Sequence, residues 1–113
     1  MANKMKSLEE LLSLQNKTVF ITGGAGHLGT AMCEALAERG ANIVIGSRDK
    51  EKGASVARKL SEEFLVQASG VQLDITDPES LEPALLYIEK EYGRLDVLIN
   101  NAWSGKKNTF ESI

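Results

Sequence analysis

Apolar and polar positions along this chain repeat with two periods. Residues 18–22, 42–46, 71–75 and 95–100 are short apolar runs, which predict strands. The β-branched run at 42–46 predicts a strand buried on both faces. Between the runs, apolar residues recur three and four positions apart, which predicts helices. In the first, ending near Arg39, the shared face is Leu28, Ala31, Met32, Ala35 and Leu36. In the second, over 49–69, it is Ala54, Ala57, Leu60 and Phe64, with Gly53 weakening the helix slightly. In the third it is Leu81, Leu85, Ile88 and Tyr92. Gly40 and Gly93 are natural helix stops, and Asp77 with Pro78 is a natural start. Pro83 lies inside the third helix and cannot donate to the carbonyl of Glu79, so a bend is expected there. Ahead of these, residues 1–6 read as a loose end. Ser7 with Glu10 forms a capping-box pattern, and Leu8, Leu11 and Leu12 form one stripe, predicting a short helix packed on the body.

The order β-α-β-α-β-α-β with short connections predicts a parallel sheet, because crossovers are right-handed. The expected architecture is a Rossmann-type, doubly wound α/β sheet of three layers, αβα, with strand order 3-2-1-4 and an end after strand 4. Its topological switch then lies between strands 1 and 4, where ligands bind at strand carboxyl ends.

The first strand runs into Thr22-Gly23-Gly24-Ala25-Gly26-His27-Leu28-Gly29, and the helical pattern begins at once. From Gly24 the spacing is G-x-G-x-x-G. The first glycine permits a tight turn, the second lets backbone approach a pyrophosphate, and the third lets helix and strand pack closely. Free amides and the helix dipole favour an anion at such a start. Gly24 and Gly29 also have the spacing of a nucleoside-triphosphatase phosphate loop, but Thr30 follows where that loop needs Lys. A glycine turn that binds nothing is the plainer alternative; the flanking strand and helix weigh against it.

Composition narrows the partners. The chain has 113 residues, enough for one domain with a small core. Lys plus Arg is 13 against 16 for Asp plus Glu, so the net charge of -3 offers no basic field for nucleic acid and no polybasic face for a membrane. Glu9 and Glu10 break up any leader-like apolar stretch near the start, and a cytoplasmic location is expected. Cys33 is the sole cysteine, which fits a reducing compartment and a structural thiol.

Two more positions converge on the same sheet edge. At the end of strand 2, where a dinucleotide site contacts its ribose, the chain has Ser47-Arg48 instead of an acidic residue. A guanidinium suits a 2′-phosphate, so NADP(H) is favoured over NAD(H), which stays open; an ordinary surface arginine is the alternative. Asp49 is placed to cap the next helix. At the end of strand 3, Asp74-Ile75 offers a carboxylate that would accept from an adenine amino group, unless it caps the following helix.

With Asn100-Asn101-Ala102 after strand 4, the set resembles the short-chain dehydrogenase/reductase family over residues 15–103. The resemblance implies a cofactor loop at Gly23, Gly24, Gly26, His27, Leu28 and Gly29, with Ser47 and Arg48 at the ribose. It also implies an adenine pocket at Asp74 and Ile75. One Asn of Asn100, Asn101 and Ala102 would brace the sheet beside the cofactor. Residues 1–113 are then one NAD(P)-binding domain, with 1–15 an N-terminal extension. His27 departs from the glycine usual in the family's single-domain branch, and Trp103 from the glycine that often follows Asn-Asn-Ala. Family enzymes move hydride between nicotinamide and a carbonyl or alcohol carbon, using a Tyr whose pKa a Lys four residues later lowers, and a Ser. No Tyr-x-x-x-Lys exists here: Tyr87 and Lys90 are three apart, and Tyr92 reads as core. The resemblance would place the catalytic segment after Ile113, so this chain is expected to bind cofactor without turnover. The rival reading is a nucleotide-binding or scaffold module without chemistry. Strand 4, left at an edge, is expected to favour a homo-oligomer.

Overall fold

Helices α1 (Leu8–Leu12), α2 (His27–Glu38), α3 (Lys50–Phe64) and α4 (Leu81–Tyr92) are interleaved with strands β1 (Thr18–Thr22), β2 (Asn42–Ser47), β3 (Ala68–Gln72) and β4 (Val97–Asn100), and a 3-10 turn at Pro78–Ser80 leads into α4. This is a computed structural model, and it describes residues 5–103. The strands pair in parallel in the order β3-β2-β1-β4, as the crossover argument requires.

Side chains of β1 alternate between two cores. Val19 and Ile21 join Cys33, Ala37, Ile43, Ile45, Ala57 and Leu60 beneath α2 and α3. Phe20 joins Val44, Val71, Leu73, Ala84 and Ile88 beneath α4. These two clusters make the three layers. Every residue of β1 is buried, and so are the four central residues of β2. Burying Phe20 completely contributes about 1.5–3 kcal/mol.

Helix rotations differ from those the sequence suggests, for local reasons. In α2 the buried stripe is Gly29, Cys33 and Ala37, while Leu28, Ala31 and Ala35 are exposed and Met32 and Leu36 half-buried. Gly29 is pressed against Gly24, and positions four and eight further on must share its face. Burial pushes the Cys33 thiol up to about 12, with the charge of Glu34 adding to the effect, so Cys33 is an inert core group.

Helix α3 stops at Phe64 instead of 69, because Leu65 turns left-handed at φ 57°. Strand β3 then begins at Ala68, three residues before the apolar run implied. Gly70, the residue before the predicted strand at 71–75, lies within β3: a Cβ there would sit 2.5 Å from the Ala54 amide nitrogen and 2.6 Å from the Gly53 carbonyl carbon. Helix backbone rests on strand backbone at this point, so Gly53 is a buried contact and not only a helix weakener.

In α4 the buried residues are Ala84 and Ile88, with Tyr92 half-buried; Leu81 and Leu85 remain exposed. Pro83 sits in the first turn of α4, where no amide partner is needed, so the expected bend becomes the junction between 3-10 turn and α-helix. Ser7 caps α1 through the Glu10 amide as predicted, but Leu8, Leu11 and Leu12 stay exposed, so α1 does not pack on the described body. The segment is anchored by Leu14 instead, which packs against the core beneath α2 and α3 and donates its amide to the Arg39 carbonyl at 2.8 Å.

Strand β4 begins at Val97, two residues late, because Asp96 is engaged. Its carboxylate accepts from the Thr18 amide at 2.9 Å and from two Arg94 nitrogens at 2.7 and 2.8 Å. Hydrogen bonding from Arg94, then from Thr18, lowers the Asp96 carboxyl to about 2, against about 3.9 for an unfolded aspartate. Folding therefore gains from this carboxylate above the unfolded value and loses that gain as pH falls through the folded one. In urea titrations from pH 5 to pH 2, the unfolding midpoint of the wild type should fall more steeply than that of Asp96→Asn, which keeps an acceptor for Thr18 but has no charge. Parallel slopes would remove the latch from the acid-stability account.

Among the described residues β4 pairs only with β1, and its outer edge exposes Val97 and Leu98. Open backbone groups beside apolar side chains invite strand addition. Light scattering over rising concentration should show self-association of this chain; a monomer throughout would contradict it.

Candidate functional site

The turn after β1 is built on backbone contact. Gly23 adopts φ 70°, and a Cβ there would lie 2.9 Å from the Ala102 Cα. Gly24 is covered by Ile21 and Ile45, whose methyls would lie 2.8 and 3.0 Å from an added Cβ. A Cβ on Gly29 would collide with the Gly23 carbonyl. Gly26 is different: an added Cβ would meet only the Gly23 oxygen, at 3.6 Å, so a side chain there would stand in open space above the turn. Nothing in the packing requires glycine at that position.

Gly26 is also the residue before α2, and it supplies no side-chain cap. The first helical bond is Thr30 N–H to the Gly26 carbonyl, at 2.8 Å. The amides of His27, Leu28 and Gly29 therefore have no partner from helix geometry, and the positive end of the helix dipole lies with them.

The segment after β4 is tied to this turn. The Thr22 hydroxyl accepts from the amides of Asn101 and Ala102, at 3.1 and 3.0 Å, and donates to the Ile99 carbonyl at 3.5 Å. The Asn101 side chain donates from Nδ2 to the Gly23 carbonyl at 3.1 Å. Asn101 is thus the bracing asparagine. Asn100 ends β4 opposite Thr22 and is exposed.

A cleft of about 240 Å³ opens at the carboxyl ends of the strands. Gly23, Gly46, Ser47, Arg48, Asp49, Lys52, Leu73, Ile75, Ala102 and Trp103 line it. Of the residues singled out from sequence, Gly23, Ser47, Arg48, Ile75 and Ala102 meet in this cleft. Gly26 and His27 line a neighbouring groove along α2, and Lys52 borders both. Gly24 and Gly29 lie buried under the turn, Asn101 holds it, and Leu28 is 67% exposed. Asp74 stands beside the cleft. Its Oδ1 accepts from the Thr76 hydroxyl at 2.6 Å and the Thr76 amide at 2.9 Å. These bonds, with the charge of Arg48 adding to them, hold its carboxyl below the ordinary aspartate range. Asp49 caps α3 by accepting from the Lys52 amide at 3.2 Å.

Lys52, Leu73 and the Thr22 hydroxyl are absent from the sequence-derived set. Lys52 lies in the first turn of α3, whereas Arg48 precedes the Asp49 cap, so helical spacing does not link the two in sequence. Thr22 carried no signal, because its role depends on a strand 77 or more residues away. Tyr92 is a core residue as expected: its hydroxyl lies 2.6 Å from the Ser69 hydroxyl, and burial pushes it up to about 12. Among the described residues no group of three or more potential metal ligands occurs, and no helix is long and apolar enough to cross a membrane.

Comparison with known proteins agrees with this geometry. A family model described as short chain dehydrogenase matches residues 17–113. The chain is 36% identical over 97 residues to the 3-oxoacyl-[acyl-carrier-protein] reductase FabG of Salmonella typhimurium, covering 86% of this chain and 38% of the relative. Its structure resembles L-sorbose reductase from Gluconobacter frateurii complexed with NADPH and L-sorbose, with TM-score 0.81 and 30% identity over 90% of this chain and 39% of that one. It also resembles a xylitol dehydrogenase bound to NAD+, with TM-score 0.74 and 27% identity over 79% of this chain and 34% of that one. The chain thus spans between a third and two fifths of the length of these relatives. With the family's model matching from the residue before β1 onward, and a parallel sheet whose strand ends carry the glycine turn and the asparagine brace, the chain belongs to the short-chain dehydrogenase family.

Proposed function

We propose that this chain is the cofactor-binding portion of an NADP(H)-dependent short-chain oxidoreductase. In the whole protein, nicotinamide would accept or donate a hydride at the carbonyl or alcohol carbon of a small substrate. The observation that carries the reading is the meeting of Arg48 with the glycine turn in one cleft.

The residues present fit such a cofactor. Gly26 leaves open space beside unpartnered amides, where a diphosphate would displace only water. Arg48 and Lys52 border the ribose end, and the one carboxylate lining the cleft, Asp49, is engaged in capping α3. Two cations and a spent carboxylate favour a 2′-phosphate over a bare 2′-hydroxyl. Asp74 uses Oδ1 for Thr76 and keeps Oδ2 to accept from the adenine amino group. Gly23, Gly24 and Gly29 shape the turn, His27 and Leu28 contribute backbone amides, and Ser47 and Ile75 flank the adenosine. Asn101 and Ala102 hold the far wall, with Asn100 closing β4. At about 240 Å³ the cleft falls below the range of 300–1,000 Å³ for complete ligand pockets, which suits one half of a dinucleotide.

Calorimetric titration should show NADPH binding more tightly than NADH. Arg48→Ala should weaken NADPH by about ten- to a hundred-fold, the range for hydrogen bonds to charged groups, and leave NADH unchanged. Equal losses for both cofactors would overturn the preference. Without a Tyr-x-x-x-Lys, the same 113-residue preparation should bind NADPH yet show no reductase turnover. Activity that persists once longer species are excluded by mass spectrometry would refute that division of labour.

A further inference from the structure

Trp103 is the only tryptophan in the chain, and 73% of it is exposed. The main chain just before it is tied to the sheet, because the Ala102 amide is bonded to the Thr22 hydroxyl at 3.0 Å. Leu73 and Ile75 line the same cleft. They follow β3, whereas Trp103 follows β4, and those strands are the two outer members of the sheet. Three strand spacings, about 14 Å, separate them. The chain after β4 therefore leans back over the end of β1 to bring the indole to the cleft that the residues after β3 line.

An aromatic wall and an aliphatic wall on one cleft, with the Arg48 guanidinium bordering it, call for a particular ligand shape. The occupant is flat and heteroaromatic and carries an anionic group close by. We propose that Trp103 is a base-stacking residue, forming with Leu73 and Ile75 a slot for the adenine of a 2′-phosphorylated adenosine. This rests on the dinucleotide reading above and adds to it a binding residue at a position the glycine-turn logic does not reach. An indole left in water gains from being covered, and its π face suits offset stacking on a purine. Such stacking is sequence-tolerant and strong enough to matter for affinity.

The sole indole makes the test direct. Adenosine 2′,5′-bisphosphate carries the base and the phosphate but no nicotinamide, so any change it causes in emission cannot come from energy transfer to a reduced nicotinamide. Titrated into the wild-type chain, it should quench tryptophan emission saturably, with the midpoint found by calorimetry. Trp103→Gly should weaken the bisphosphate and NADPH by the same factor, about ten-fold. Trp103→Phe, which keeps a ring, should retain most of the affinity. Trp103 belongs to neither core, and unchanged urea midpoints would confirm that both variants fold. Calorimetric binding with no change in emission would overturn the slot. So would a Trp103→Gly variant that binds as tightly as wild type or more tightly, since the indole would then be an obstruction. Binding that needs Trp103 but ignores Arg48 would uphold the slot and overturn only the cofactor preference. A wild-type chain that binds neither ligand would overturn both.

Discussion

The structure depends on close backbone approach at the carboxyl end of β1. The Gly23 carbonyl accepts from the Gly26 amide at 3.2 Å and from Asn101 Nδ2 at 3.1 Å, and the start of α2 rests against it at Gly29. One carbonyl thus gathers the turn, the helix start and the segment after β4. A side chain at Gly23 or Gly29 would push these apart by more than the cleft can absorb. The rotation of α2 follows from the same contact, since Cys33 and Ala37 inherit the face that Gly29 sets.

The sheet turns this local arrangement into a site. Parallel pairing brings all the carboxyl ends to one edge, and the reversal of strand order about β1 leaves a gap there. Residues after each of the four strands line the resulting cleft. Its character is divided. Cations come from the β2–α3 junction and apolar walls from beyond β3 and β4, while the start of α2 borders the neighbouring groove. The opposite end of β1 is closed by a different device, the Asp96 carboxylate bonded to the Thr18 amide and to Arg94, which holds β4 in register at its start.

Relatives of similar fold include one complexed with NADPH and one bound to NAD+. The scaffold therefore does not decide the cofactor. At the end of β2, Ser47 and Arg48 line the cleft and belong to neither core. Ser47 and Arg48 stand at the rim of the buried β2 run, whereas Ile43, Val44 and Ile45 are buried in the two cores.

Strand order, three layers, helix caps at Ser7, Asp49 and Asp77, and the stop at Gly93 were all legible in the amino-acid sequence. Each rests on near neighbours in the chain or on the handedness of crossovers, and both leave periodic or compositional traces. The placement of the glycine turn, Arg48 and the Asn-Asn-Ala segment at the strand ends was legible for the same reason. Helix rotation, the true limits of β3, the exposure of the α1 stripe and the joining of Trp103 to Ile75 were not. Gly70 illustrates the difference. In sequence it marks a boundary, yet in the fold it is the point where α3 lies on β3, because a missing side chain acquires meaning only when another backbone comes to fill its place. Thr22 is the same case in polar form: a hydroxyl at a strand end has no evident partner until pairing in space delivers Ile99, Asn101 and Ala102 to it. Local propensity and chain order determined which elements form and how they connect; only tertiary packing decided which faces meet, since that depends on contacts between residues far apart in sequence.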